Sequence, residues 1–132
     1  MKRVIEKQDF YQEYKVKTMR LDSYIEKVGV EKVDLIKIDT EGTENDVLNG
    51  AEKVLTKFRP VLIFEVLHNL IEDKLHEILD SMEYDYYLIS NKETNNYKIK
   101  KCDRIVGDKY IVSNYLFLPK EKSELVENYN HL

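Results

Sequence analysis

The sequence predicts a three-layer α/β fold, and three observations carry that prediction. Short apolar, largely β-branched runs stand at Val33–Asp39, Val61–Val66 and Tyr86–Ile89. The segments between them repeat their apolar residues at helical spacing. The resulting order of strand, helix, strand, helix, strand is that of linked βαβ units, which build a mostly parallel sheet covered on both faces, with right-handed crossovers.

Taken in order, residues 1–13 are polar and weakly patterned. Tyr14, Val16 and Thr18 alternate with Lys15, Lys17 and Met19, which predicts a strand with one wet face. A short helix follows, with Ser23 and Glu26 spaced as a capping box and Gly29 as its stop. After the buried strand Val33–Asp39 comes the most regular helix, capped by Thr43 and Asp46, with Val47, Leu48, Ala51, Val54, Leu55 and Phe58 on its apolar stripe. Pro60 ends it and opens the next strand. A second helix spans about Asn69 to Met82, with Asn69 and Glu72 as caps and Ile71, Leu75, Ile78, Leu79 and Met82 facing inward. Ser90–Lys98, containing Asn95-Asn96, reads as a polar turn, and Tyr110–Leu118 as a final strand added at an antiparallel edge. From Lys120 the tail is charged and frays or ends in a short helix.

Composition narrows the function classes. Of 132 residues, 42% are hydrophobic and 35% charged, with a formal net charge of −4, which suits one ordinary globular domain. No apolar run approaches the ~20 residues of a membrane span. The basic start, Met1-Lys2-Arg3, has no apolar signal core behind it. No Lys/Arg cluster with interleaved aromatics marks a nucleic-acid surface. A lone Cys102 allows no internal disulfide and points to a reducing, cytoplasmic setting.

The chemistry gathers at two strand ends. Ligands of open parallel sheets bind beyond the carboxyl ends of the strands. One strand ends in Lys37-Ile38-Asp39-Thr40-Glu41-Gly42, the other in Phe64-Glu65-Val66-Leu67-His68. If the two strands are neighbours, Asp39, Glu41, Glu65 and His68 converge on one rim. Period two puts Lys37, Asp39 and Glu41 on one face. A lysine in a buried strand needs a partner, and its ammonium keeps a neighbouring carboxylate ionised, as a general base requires. Lys37–Asp39 is equally readable as a structural ion pair. Glu44 and Asp46, in a first helical turn, read as structural. His76 and His131 read as surface residues, and nothing in the spacing demands a metal.

Four blocks carry a family resemblance. They are Leu21-Asp22-Ser23-Tyr24-Ile25; Val33-Asp34-Leu35-Ile36-Lys37-Ile38-Asp39-Thr40-Glu41-Gly42-Thr43-Glu44; Val47-Leu48-Asn49-Gly50-Ala51; and Arg59-Pro60-Val61-Leu62-Ile63-Phe64-Glu65. In order and spacing they resemble the FkbM family of methyltransferases, and Asn114-Tyr115-Leu116-Phe117-Leu118-Pro119 resembles its closing strand. Thr40 and Thr43 stand where other members often have Val and Ala. The resemblance implies a Rossmann-like class I methyltransferase fold, S-adenosylmethionine as cofactor, and methylation of a hydroxyl on a sugar or natural-product-like acceptor. It implies Asp39, Glu41, Glu65 and Lys37 as catalytic residues, His68 as a substrate contact, and Asp39 and Thr40 at the cofactor.

The same resemblance implies a partial domain over residues 1–132. The class opens with a strand, a glycine-rich turn and a helix, and none of Gly29, Gly42, Gly50 and Gly107 forms Gly-x-Gly after a strand. The expected sheet is therefore the C-terminal half, with Val33–Asp39 left at an edge. That edge would pair with a missing N-terminal half, with a second copy, or with the folded-back Tyr14–Arg20. A non-catalytic binding or assembly module is the competing functional reading.

Overall fold

The computed structural model describes residues 14–67, 71–91, 97–105 and 112–129. Helix α1 (Leu21–Val28) leads into strand β1 (Leu35–Ile38). Helices α2 (Glu44–Asn49) and α3 (Glu52–Phe58) precede strand β2 (Val61–Leu67). Helix α4 (Glu72–Ser81), strands β3 (Tyr84–Asn91), β4 (Tyr97–Cys102) and β5 (Val112–Pro119), a 3-10 turn at Lys120–Lys122 and helix α5 (Glu124–Tyr129) complete the chain.

The five strands form one mixed sheet in the order β1-β2-β5-β3-β4. β1 and β2 are parallel, with Lys37 beside Ile63 and Ile38 beside Phe64. The pairs β2–β5, β5–β3 and β3–β4 are antiparallel. The expected mostly parallel sheet is thus corrected to a mostly antiparallel one. Strands β1, β2 and β3 do run in one direction, as the βαβ series requires. The last strand is not at an edge: β5 is inserted between β2 and β3, running against both. The outer position belongs to β4, which lies partly in the segment read as a turn. Its Lys98, Lys100 and Lys101 are exposed, and it pairs as a hairpin with β3.

The insertion has a packing reason. Phe117 of β5 is fully buried and meets Phe64 of β2 edge-on at 4.9 Å and Tyr86 of β3 edge-on at 5.4 Å. These rings join Ile38, Leu62, Val66, Leu48, Leu55, Leu75 and Leu79 in the main core, between the sheet and helices α2 to α4. The opposite sheet face carries a smaller cluster of Tyr87, Leu116 and Leu118, joined by Val126 of α5. Val61, Ile63, Ile89 and Ile99 on that face are half-buried. Cover on both faces, as a three-layer fold expects, is therefore incomplete among the described residues.

Local structure departs from expectation where distant groups intervene. Tyr14–Arg20 forms no strand, and Tyr14, Val16 and Met19 are exposed, so this segment does not cover β1. Alternation alone, without a paired neighbour, does not make a strand. Helix α1 starts before the supposed capping box: its N-cap is Arg20, with no side-chain cap. Gly29, at φ 69°, closes it as expected. The helix expected over Thr43–Phe58 is two helices, because α1 docks across the break. There the Asp22 N–H donates to the Gly50 carbonyl at 3.0 Å. The buried Asp22 carboxylate accepts the N–H groups of Lys53 at 3.3 Å and Val54 at 3.0 Å, capping α3 from another helix. Thr43 is the N-cap residue of α2, but its hydroxyl donates to the Thr40 carbonyl and does not cap Asp46. Helix α4 begins at Glu72, whose carboxylate accepts the Ile71 N–H at 3.1 Å; Asn69 lies outside the described residues. Of the two outcomes open for the tail, fraying or a short helix, a short helix forms over Glu124–Tyr129.

Two further contacts close the fold. Arg59, in the left-handed region at φ 49°, donates to Glu121 at 2.9 Å and to the carbonyls of Met82 and Glu83. It holds the Glu121 carboxyl down at about 2. His76 is not a surface residue. It is buried, its ring lies 4.9 Å from that of Tyr86, and its Nε2 accepts the Ile105 N–H at 3.1 Å. Burial, followed by the positive Arg104, lowers the His76 pKa below 6.5, with Asp80 and Asp73 opposing.

Two predictions follow from these contacts. Asp22→Ala should lower the unfolding free energy by about 1–2 kcal/mol, because it strands the buried Val54 N–H and removes a helix cap; urea titration measures the loss. His76, with a folded pKa below its unfolded one, contributes stability that is full above pH 6.5 and lost as pH falls through the lowered value. His76→Gln keeps an acceptor without a titrating ring. Between pH 7 and about 5 its stability should therefore fall less steeply than the wild type's. Parallel pH profiles would remove His76 as the cause.

Candidate functional site

The site begins with the pairing of β1 and β2. Parallel neighbours end at the same side of a sheet, so Asp39, one residue past β1, and Glu65, near the end of β2, share one rim. Lys37 and Glu65 project to the same face, since Lys37 stands beside Ile63 and Glu65 lies two residues further on.

Lys37 Nζ donates to Asp39 Oδ2 at 2.9 Å. The two side chains keep 56% and 42% of their exposure, so this is not a pair buried within the strand. The Asp39 hydrogen bond, the Asp39 charge and then the charge of Glu65 raise the Lys37 pKa above 10.5. Lys37, Asp39 and Glu65 therefore interact at one open rim. An exposed pair of this kind contributes little to folding. That weakens the purely structural reading of Lys37–Asp39.

Beyond Asp39 the chain turns sharply. Glu41 has φ 51° and Gly42 φ 105°, so two successive residues sit in the left-handed region. Gly42 tolerates this without a Cβ, while Glu41 does so at a cost. Glu41 is exposed. Thr40 is tied inward: its N–H and its hydroxyl both donate to Glu44 Oε1, at 3.1 and 2.9 Å. Glu44 also accepts the Gly42 N–H, on Oε1 at 3.2 Å and Oε2 at 3.1 Å. Its first-turn position gave the structural reading, but the loop contacts were not anticipated. The available signal was an acid two residues beyond a glycine turn, within reach of the turn's own N–H groups. His68 lies outside the described residues.

A groove of about 720 Å³ opens beside the far end of this loop, with Met19, Tyr24, Thr43, Asp46 and Val47 among its lining. Among the described residues, no group of three or more His, Cys, Asp or Glu side chains is arranged to hold a metal ion. None of the described helices is long and apolar enough to cross a membrane.

Comparison with known proteins adds two findings. Residues 2–117 match the family model described as the methyltransferase FkbM domain. A stretch of 44 residues is 46% identical to the 2-O-methyltransferase NoeI of Sinorhizobium fredii (strain NBRC 101917 / NGR234), covering 33% of this chain and only 18% of that protein. No solved structure matches the chain.

The rim geometry yields a direct test. Asp39→Asn should bring the Lys37 pKa down toward 10.5, read from the titration of its side-chain nitrogen by NMR, while the unfolding midpoint stays unchanged. A clear loss of melting temperature would return the pair to a structural role.

Proposed function

This chain belongs to the FkbM methyltransferase family, and on that premise we propose that it is the catalytic-side part of an S-adenosylmethionine-dependent O-methyltransferase. The acceptor is a hydroxyl on a sugar or natural-product-like molecule. The observation that carries the reading is the Lys37–Asp39 pair at the rim, with Glu65 on the neighbouring parallel strand. The name of the matched stretch's relative, a 2-O-methyltransferase, supports oxygen as the methylated atom.

S-adenosylmethionine supplies the methyl group in this reading. The described residues do not form its cradle by themselves: the one glycine that follows a strand, Gly42, gives its N–H to Glu44, and Thr40 gives both of its donors to the same carboxylate. The family resemblance puts Asp39 and Thr40 at the cofactor, and in this reading Asp39 meets cofactor and acceptor together. The chain's own contribution is to the acceptor. The Asp39 carboxylate takes the hydroxyl proton, and the Lys37 ammonium, bonded to it at 2.9 Å, orients it. Glu65 and Glu41 flank the acceptor, and His68 follows the strand that carries Glu65. The rest of the cofactor site belongs to a strand seated against β1. There the Asp34 carbonyl already accepts the Val61 N–H, so by alternation the backbone groups of Leu35 and Lys37 face away from β2. A missing N-terminal half, or a second copy, is the partner for that edge.

The open edge and half-covered sheet face also favour a second reading, a non-catalytic assembly module. Calorimetric titration separates the two. The chain alone should bind S-adenosylmethionine far more weakly than micromolar, that is with less than ~8 kcal/mol. Extension by the family's N-terminal half should create binding and turnover if the enzyme reading holds, and neither if the module reading holds. In the extended protein, Asp39→Asn should cost ~10²–10⁴-fold in turnover with cofactor affinity little changed. Near-normal turnover would move the base to Glu65.

A further inference from the structure

We propose that Glu44 is a positioning residue for this rim: its buried carboxylate sets the conformation of the 39–43 loop and so fixes where Asp39 and Glu41 stand. The proposal rests on the methyltransferase reading only for what Asp39 and Glu41 do. The positioning itself is carried by the contacts.

Glu44 is 0% exposed, although it opens a surface helix. A carboxylate withdrawn from water is costly unless its lone pairs are satisfied. Here they accept the Thr40 N–H, the Thr40 hydroxyl and the Gly42 N–H, all from its own loop, two to four residues earlier. Asp22 provides the contrast. Its buried carboxylate reaches 31 and 32 residues along the chain and ties one helix to another. Glu44 shapes a turn instead.

The placement of the donors shows what is being held. Thr40 precedes Glu41 and Gly42 follows it, so the clamp straddles the one non-glycine residue of the loop in the left-handed region. Such a conformation persists only where the surroundings over-determine it. With the Glu41 backbone held over, Asp39 leaves the strand beside Lys37 and Glu41 stays exposed. The Thr43 hydroxyl on the Thr40 carbonyl, at 3.3 Å, closes the other end of the loop.

The test uses the 132-residue chain and needs no activity. Glu44→Gln keeps the side chain's shape but turns one of its two acceptor oxygens into an N–H donor facing donors, and removes the charge. Amide hydrogen exchange at Thr40 and Gly42 should accelerate at least tenfold, while Leu62 and Phe64 of β2 keep their protection. The Lys37 titration should move toward its ordinary value as its pair with Asp39 loosens. A purely structural role predicts instead a uniform loss of protection, and that result overturns the proposal, as does an unchanged loop. If Glu44→Gln does not fold, Thr40→Val removes one hydroxyl from the clamp. Faster exchange at Gly42 and a shifted Lys37 titration then support the proposal, and their absence overturns it. Loop effects in an extended protein that shows no methyl transfer at all would sink the enzyme reading and leave the positioning role intact.

Discussion

The contact on which the rest of the molecule depends is Phe117 against Phe64 and Tyr86. One fully buried ring on β5 meets a ring on each neighbouring strand, at 4.9 and 5.4 Å. Edge-on aromatic pairs add to the area they bury, and here they join strands that the chain does not connect directly. Without β5, β1–β2 and β3–β4 would be two separate pairs. The helices pack on the continuous surface that this junction creates. The rim inherits its geometry from β2, which the same junction holds in register.

Much of the fold was legible because its signals are local. The apolar runs at 33–39, 61–66 and 86–89 became β1, β2 and β3, all in one direction, and Gly29 and Pro60 stopped their helices where expected. Strand order was not legible, because the insertion of β5 depends on partners far along the chain. β4 was hidden by its lysines, which are exposed on a hairpin edge strand. Tyr14–Thr18 shows the opposite error: it has alternation but no strand to pair with. The split between α2 and α3 depends on Asp22, more than thirty residues earlier than the N–H groups it caps. His76 looked solvated because Ile105, which gives it its bond, lies 29 residues away.

The site divides along the same line. Period two was enough to place Lys37 with Asp39, and the geometry has that pair at 2.9 Å. The expectation of burial around it failed, since β1 ends the sheet and leaves that face open. Glu44 was placed correctly in a first helical turn, but a helical position says nothing about three donors folding back onto it. Local pattern gave the acids at the rim. It did not give the acid beneath them.

The inner position of β5 has a consequence for how the chain is made. The strand that completes the core, Val112–Pro119, leaves the ribosome after the other four strands of the sheet. Until it emerges, β2 and β3 have no bridge, and the Leu62, Phe64 and Tyr86 side chains that it covers stay open to solvent. Contacts of such long sequence separation form slowly, and exposed strand edges aggregate while they wait. Synthesis that stalls before Val112 thus yields helices α1 to α4 without a closed core, a natural client for chaperones and proteases.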